Sequence, residues 1–534
     1  MKKSEEDGER LTAHGAREGS EDVGIPLDKE NDISLSNQTT DWYDFSRRSR
    51  QSAAAILLIL LRLVKTLGRQ VWPILLIVLF NPNKEGDYFY LKIFGGIAAF
   101  AAVRSIIGWF KFYFYVENEE LVIERGVLKK SKLNVPIGRI QTVNFKQNVI
   151  HQFFNVVSVE IDTAGSSGNE FIIQAISKPK AEALRKYVES QKKEMPSTQK
   201  ITENFTPVEE KKKLLLQLSP IDLLKIGVSQ NHLRTAGIIT LFFWSFLDDI
   251  EQAFNWKFLD VIQSYFENDN SFLTIFLMIL PFFLVVSFIL TLVNSVLRDY
   301  NLKFWQTETG FKIQSGLFNK KENSANLDKI QLLIWNSNPL KRIFKLFTLR
   351  MSQAASKAVS HKNSINVPGI YATELEAVQE VWFPAQMHID YEAHNISKLI
   401  TWRKVLYQGI LPSVLLIVFF WSSWGWYALS WLLLIGYVYW WANQFYETWI
   451  YEVSDEGLRT NSGVITRTHI LLHWYKIQGV RIRQGLYQQR KDVADLIFYT
   501  AAGSVTIPYV ELQKAEILRD YVIFKSEIDG REWM

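Results

Sequence analysis

Cysteine is missing from all 534 residues, which excludes disulfides, thiolate metal sites and cysteine nucleophiles and leaves the redox compartment unmarked. Histidine is scarce at eight residues, and none stands in a His-Glu-x-x-His pattern. No Gly-rich loop leads into Lys-Ser or Lys-Thr, and no Gly-x-Ser-x-Gly turn occurs, so the commonest catalytic signatures are lacking. Neither charge sign dominates: 60 Lys and Arg stand against 55 Asp and Glu, a net of +5 too balanced to suggest a nucleic-acid partner. The first stretch, to about Thr40, lacks the basic start and short apolar run of a signal peptide. Its mixed charges, from Glu5, Glu6 and Asp7 to Glu21 and Asp22, read as a disordered cytosolic tail.

What the chain does have is apolar and clumped. Apolar residues make up 48% and aromatic residues 14%, including 18 Trp, and they gather in stretches lean in charge, as a bilayer selects. Behind Arg47, Arg48 and Arg50, the run Ala53 to Val64 contains Arg62 and reads as an interfacial amphipathic helix. Spans are expected at about Leu67 to Phe80, Tyr88 to Phe110, Thr235 to Leu247 with its flanks, Ser271 to Leu297, Val405 to Trp424 and Tyr427 to Trp441. The short connections carry few basic residues, Lys84 in the first and Lys257 in the second, whereas Lys111, Lys225, Arg234, Arg298, Arg403 and Lys404 mark the opposite ends. Both termini and the segments between hairpins are therefore expected in the cytosol.

Those segments repeat. Gly126 to Gln141, Gly316 to Gln331 and Gly463 to Gln478 are each separated by 15 positions, and each ends in a basic-Ile-Gln triplet: Arg139-Ile140-Gln141, Lys329-Ile330-Gln331 and Lys476-Ile477-Gln478. Gln147 matches Gln484, and Asp162-Thr163-Ala164-Gly165 resembles Tyr499-Thr500-Ala501-Ala502-Gly503. Alternating strands follow, and an amphipathic helix closes each unit, from Lys178, Ala372 and Glu511. Several short antiparallel strands and then one helix is the plan of a pleckstrin-homology (PH) domain. The fold class expected is thus membrane α + β: six transmembrane helices in three hairpins, each hairpin followed by a PH-like small bent antiparallel sheet or barrel with a C-terminal helix. The boundaries expected are a tail at 1–45, an interfacial helix and first hairpin at 46–110, a module at 111–195 and a linker at 196–218. A second interfacial helix and hairpin follow at 219–298, a module at 299–386, a third helix and hairpin at 387–444, a module at 445–526 and a tail at 527–534.

The run Val135-Pro136-Ile137-Gly138-Arg139-Ile140-Gln141-Thr142-Val143, with the later Gln, Thr-Ala-Gly and closing Ile-Pro, resembles the bacterial PH-domain membrane proteins of the YdbS/YdbT type. The resemblance covers about Ser46 to Lys525 and is weakest in the second copy, which lacks the Pro and the Gly. It implies paired spans before each module in a bacterial cell membrane, a membrane scaffold or envelope-protection role, a smaller PH-domain membrane protein as partner, and no established chemistry.

The basic clusters are Lys129, Lys130, Lys132 and Arg139 in the first module, Lys320, Lys321 and Lys329 in the second, and Arg467, Lys476, Arg481 and Arg483 in the third. Close to membrane exits, they are candidates for anionic headgroups or a protein partner, or else form a solvated strand face. The signature residues Gly126, Pro136, Ile140, Gln141, Gly316, Ile330, Gln331, Gly463, Ile477 and Gln478 suit an inward Ile beside a turn, or a polar pair facing a neighbour. His469 and His473, four apart on a strand, stand roughly 13 Å from one another, too far to share a metal. The function expected is a non-enzymatic scaffold, without cofactor, that meets lipid, a partner or a second copy of itself. The alternative is a transporter or channel-like component handling lipids or amphipathic peptides.

Overall fold

The structure, a computed structural model, describes residues 44–63, 65–66, 87–126, 130–163, 171–194, 212–245, 272–354, 364–384 and 392–531. The first copy of the repeat forms β1 (Tyr113–Glu117), β2 (Glu120–Arg125), β3 (Ser131–Pro136), β4 (Ile140–Gln147), β5 (Val156–Thr163) and β6 (Phe171–Ser177). The second forms β7 (Lys213–Gln217), β8 (Lys303–Thr307), β9 (Gly310–Ser315), β10 (Lys320–Asn326), β11 (Ile330–Ser337), β12 (Phe347–Gln353) and β13 (Ser364–Ile370). The third forms β14 (Glu392–Asn395), β15 (Ile450–Val453), β16 (Gly457–Ser462), β17 (Arg467–His473), β18 (Ile477–Arg483), β19 (Val493–Thr500) and β20 (Gly503–Glu511). Helices Lys178–Glu194, Ala372–Trp382 and Leu512–Ile528 close the three copies.

Local chemistry explains why each copy breaks into two short sheets. Gly126, Gly316 and Gly463 have φ of 122°, 108° and 101°, a region that side chains with a Cβ rarely enter. A Cβ at Gly316 would lie 2.1 Å from the Asn319 carbonyl oxygen, and one at Gly463 would lie 2.0 Å from that of Thr466. Next, a 3₁₀ turn at Ile137–Arg139, Leu327–Lys329 and Trp474–Lys476 changes the chain's direction. The triplet isoleucine then turns inward, with Ile140, Ile330 and Ile477 buried. In all three copies the pairing register shifts across the triplet glutamine, between Ile140 and Thr142, Ile330 and Leu332, and Ile477 and Gly479. Each glutamine is thus the extra residue of a β-bulge, which bends its strand.

The sheets are larger than separate small modules would give. One seven-stranded sheet has the order β6-β5-β4-β10-β9-β8-β7, and another β13-β12-β11-β17-β16-β15-β14. The second half of one copy is continuous with the first half of the next, through antiparallel pairing of β10 with β4 and of β17 with β11. The cores follow: Leu471 of β17 packs in the second copy's core, and Leu332 of β11 in the third's. Three-stranded sheets remain at the two ends, β1-β2-β3 and β18-β19-β20.

The apolar helices are inserted inside these sheets, which corrects two boundaries. β7 lies in the expected linker and β14 in the expected third interfacial segment, yet each pairs with the strand that follows its hairpin, β8 and β15. Ser49 bridges Phe114 of β1 in the same way. Leu216 explains β7, since its side chain is buried against the second core although Lys-Leu-Leu-Leu-Gln looks like the approach to a span.

Among the described residues two helical segments are long and apolar enough to cross a membrane, Leu280–Asp299 and Leu399–Thr448, where six spans were expected. The first expected span and the connection of the second hairpin lie outside the described residues. Within the described residues, helix His232–Ser245 has 14 residues, roughly 21 Å of rise against an apolar thickness of about 30 Å. The segment Leu399–Thr448 folds back at Gly425 (φ 51°). Its limbs are tied where Thr401 Oγ1 donates to the Ala442 carbonyl at 3.4 Å and Ser413 Oγ to that of Trp431 at 3.0 Å. Phe282, Val285, Ile289 and Leu290 on the first segment, and Val418, Phe419 and Leu433 on the second, are exposed. Apolar side chains so presented along a helix suit lipid as their solvent.

Candidate functional site

Four parts of the chain converge at the polar end of helix Phe272–Asp299. Its last turns bring Asn294 and Arg298, and the helix Ala54–Leu63 brings Arg62. From the first module come Lys146 and Gln147 at the end of β4, and Asn148, whose side chain caps helix Val149–Phe153 by accepting from the His151 backbone N–H at 2.9 Å. The second module brings the turn Phe318 to Lys321 that opens β10. Together these line a cavity of about 560 Å³.

The first sheet joint sets the geometry. Lys320 pairs with Gln147 and Lys321 with Lys146, so lysines far apart in sequence meet at one rim. Gln152 fixes the facing turn by donating to the carbonyls of Leu317 at 3.2 Å and Phe318 at 2.9 Å. Gln147 Nε2 donates to the Val156 carbonyl at 3.0 Å, and Gln484 repeats that bond to Val493 at 3.0 Å in the third copy. The match between those glutamines in sequence therefore marks a strand-end clasp.

Charge in the cavity is lopsided. Arg62, Lys146, Arg298, Lys320 and Lys321 line it, with Glu160 as the carboxylate. Glu160 is ion-paired with Lys146, and Arg298 with Asp299 at 2.8 Å. Lys320 and Lys321 are exposed. His151 is 8% exposed, with Nδ1 2.5 Å from Asn148 Oδ1 and Nε2 without a hydrogen-bond partner among the described residues. Burial first, and the positive Arg62 second, hold its pKa below the ordinary value, so the ring is neutral near pH 7. An anion entering the cavity would meet five cations, of which Lys146 and Arg298 already have carboxylate partners, and the His151 ring beside them. The arrangement suits a phosphate group.

Of the sequence candidates, only Lys320 and Lys321 meet here. Lys129 lies outside the described residues. Lys130 is exposed just before β3, and Lys132 is exposed on it, 3.6 Å from Glu117. Arg139 is exposed and Lys329 half-buried, each ending a 3₁₀ turn. Arg467 is exposed at the start of β17, and Arg481 and Arg483 are exposed on β18. Lys476 is the correction: it is fully buried, and its Nζ donates to the Asp328 carbonyl of the second module. Burial pulls its pKa down to about 8. Its place in a 3₁₀ turn packed against the second module's turn Leu327–Lys329, which sequence spacing does not reveal, removes it from the surface. Pro136 ends β3 half-buried; Gln331 is fully buried, whereas Gln478 is exposed on β18. Arg62, Lys146, His151 and Arg298 were not among the candidates, because they come from four separate elements and no spacing links them.

The second joint holds the histidine pair. His469 stacks on Trp335 of β11 at 5.2 Å between ring centroids, whereas His473 Nε2 donates to the Trp382 carbonyl at 3.0 Å and its ring lies 4.1 Å from that of Phe383. Both bind one module to the next.

Comparison with known proteins agrees with the repeat. The bacterial PH domain family matches residues 56–192, 259–383 and 401–523. The transmembrane protein YdbT of Bacillus subtilis (strain 168) is 20% identical over 467 residues, which is 85% of this chain and 91% of that protein. The transmembrane protein YdbS of the same organism is 29% identical over 116 residues, 21% of this chain and 73% of that protein.

Proposed function

Because the chain belongs to the bacterial PH domain family, with relatives that are transmembrane proteins, we propose that it is a non-enzymatic, multi-pass membrane scaffold whose PH-type modules lie in the cytosol and engage anionic headgroups and protein partners. The observation that carries this reading is the interlocking of the modules. Two seven-stranded sheets pass through the module boundaries, so the three copies form one platform under their apolar helices. The basic cavity sits where that platform meets the end of Leu280–Asp299, and a bilayer crossed by that helix would bring its lipid phosphates near this end. A smaller PH-domain membrane protein is a partner that this reading allows.

The lipid part of this reading is tested by native mass spectrometry of the full-length protein, titrated in mild detergent with phosphatidylglycerol or with zwitterionic phosphatidylcholine. Preferential retention of phosphatidylglycerol is expected, and the double variant Lys320→Gln, Lys321→Gln should weaken it. Two cations at about 1 kcal/mol each near a membrane surface correspond to a loss of roughly thirtyfold. Equal retention of both lipids, or no change in the variant, would refute the cavity as a headgroup site.

A further inference from the structure

The two internal joints use one register. In the first, Lys320, Lys321 and Glu322 of β10 stand opposite Gln147, Lys146 and Phe145 of β4. In the second, Arg467, Thr468 and His469 of β17 stand opposite Ser337, Asn336 and Trp335 of β11. Lys320 and Arg467 each follow their copy's glycine by four residues, and Phe145 and Trp335 each follow their triplet isoleucine by five. β18 is the third copy's counterpart of β4 and β11, yet among the described residues it pairs only with β19, and its outer edge carries no strand.

Two further observations show what this edge lacks. Phe145 and Trp335 are buried under their joints at 6% and 3% exposure, as are Val143 and Leu333, whereas their counterparts Ile482 and Val480 are only half-buried. In the first joint Arg185 also works as a clamp. Its Nη1 lies 2.5 Å from Glu322 Oε1, its Nη2 donates to the Val143 carbonyl at 2.9 Å, and its guanidinium lies over Phe145. The helix sequences Ala-Glu-Ala-Leu-Arg and Ala-Glu-Ile-Leu-Arg place Arg519 where Arg185 stands. Arg519 is paired with its own neighbour Asp520 at 2.8 Å, a partner that is itself exposed.

We propose that the outer edge of β18 receives an extended strand of a different protein, added antiparallel in the register of the internal joints, with a carboxylate at the position of Glu322 that Arg519 clamps as Arg185 does. Charge decides against a second copy of this chain. The strand of such a copy that corresponds to β10 and β17 is β3, and in this register it would set Lys132 in the place of Glu322, beside Arg519. Lys132 beside the Arg519 guanidinium disfavours that pairing, in the way that natural sheet edges are guarded. This inference deepens the scaffold reading by naming a partner chemistry, and it rests on strand registers rather than on the lipid cavity.

The probe is a labelled peptide with the sequence Asn319 to Asn326, the strand that fills this position in the first joint, titrated against the full-length protein in detergent and followed by fluorescence anisotropy. A second peptide carries Lys at the Glu322 position, and a third has the β3 sequence Lys130 to Pro136. The peptide with Glu at the Glu322 position should bind about tenfold or more tightly than either peptide with Lys there. The variant Arg519→Glu should reverse that order, and Arg519→Gln should abolish the preference. Equal binding of all three, no saturable binding, or an order unchanged in Arg519→Glu would overturn the proposal. Self-association of the full-length protein crosslinked between β3 and β18 would overturn it too, by making a second copy the occupant.

Discussion

Glu322 shows how one side chain can hold two domains together. Burial alone would raise its carboxyl, but Arg185 across the joint and Lys312 beside it, at 2.7 Å, keep its pKa below the ordinary value. His469 and His473 do the same work at the second joint with opposite consequences for acid. Burial, with Arg459 and Arg467 near the first and Arg531 and Lys476 near the second, lowers both to about 4 from 6.5. The folded state therefore takes up protons less readily than the unfolded chain. The stability that the neutral rings give is whole above pH 6.5 and is lost as pH falls from there toward 4, at up to about 1.4 kcal/mol per pH unit for each ring. Thermal unfolding between pH 7.5 and 4.5 should show that fall, and the double variant H469Q, H473Q, which keeps a donor for the Trp382 carbonyl, should flatten it. An identical slope in the variant would remove the histidines as its source. At this scale the sequence was a partial guide. It put His469 and His473 on one strand, as β17 has them, but it grouped Lys476 with surface cations because a buried lysine and a solvated one have the same neighbours in the chain.

At the scale of elements, the spacing from glycine to glutamine was legible because it records a local device: a left-handed glycine, a strand, a 3₁₀ turn, an inward isoleucine and a bulge. All of that is decided within 16 residues. The shared sheets were not legible, since pairing β4 with β10 joins segments separated by a whole apolar hairpin, and edge registers leave no periodic mark of their own. β7 and β14 were missed for a related reason. A short apolar strand such as β7 at the mouth of a membrane helix looks like more helix, and the four polar-leaning residues of β14, Glu-Ala-His-Asn, are too few to show an alternation. The device predicts a specific sensitivity at Gly463. An alanine there must adopt φ near 101° with its Cβ against the Thr466 oxygen, just where β17 begins. Gly463→Ala should cost roughly 1–3 kcal/mol, seen as a lower midpoint of thermal unfolding. Gly479→Ala serves as a control, since a Cβ there meets nothing within 4 Å and φ is not positive. Equal midpoints for the two variants would mean that the turn tolerates a side chain.

For the whole molecule, the insertion of apolar helices between a leading strand and its sheet constrains topology more than charge bias does. β14 and β15 are neighbours in one sheet, yet the chain between them holds the apolar hairpin that doubles back at Gly425. Strand ends so paired lie on one side of any membrane that the hairpin enters, and the same holds for β7 and β8 and for Ser49 and Phe114. An even number of crossings per insertion follows, which agrees with the basic residues that flank the sheets. The absence of native cysteine makes this directly measurable, because every thiol can be placed. In intact cells, a membrane-impermeant maleimide should label Tyr427→Cys, at the exposed tip beside Gly425. It should spare Lys130→Cys on the first module and Arg481→Cys on the third until the membrane is opened. Labelling of either module position from outside would place the platform on the other face, whereas protection of Tyr427→Cys in intact and opened cells alike would mean that the hairpin tip ends within the bilayer.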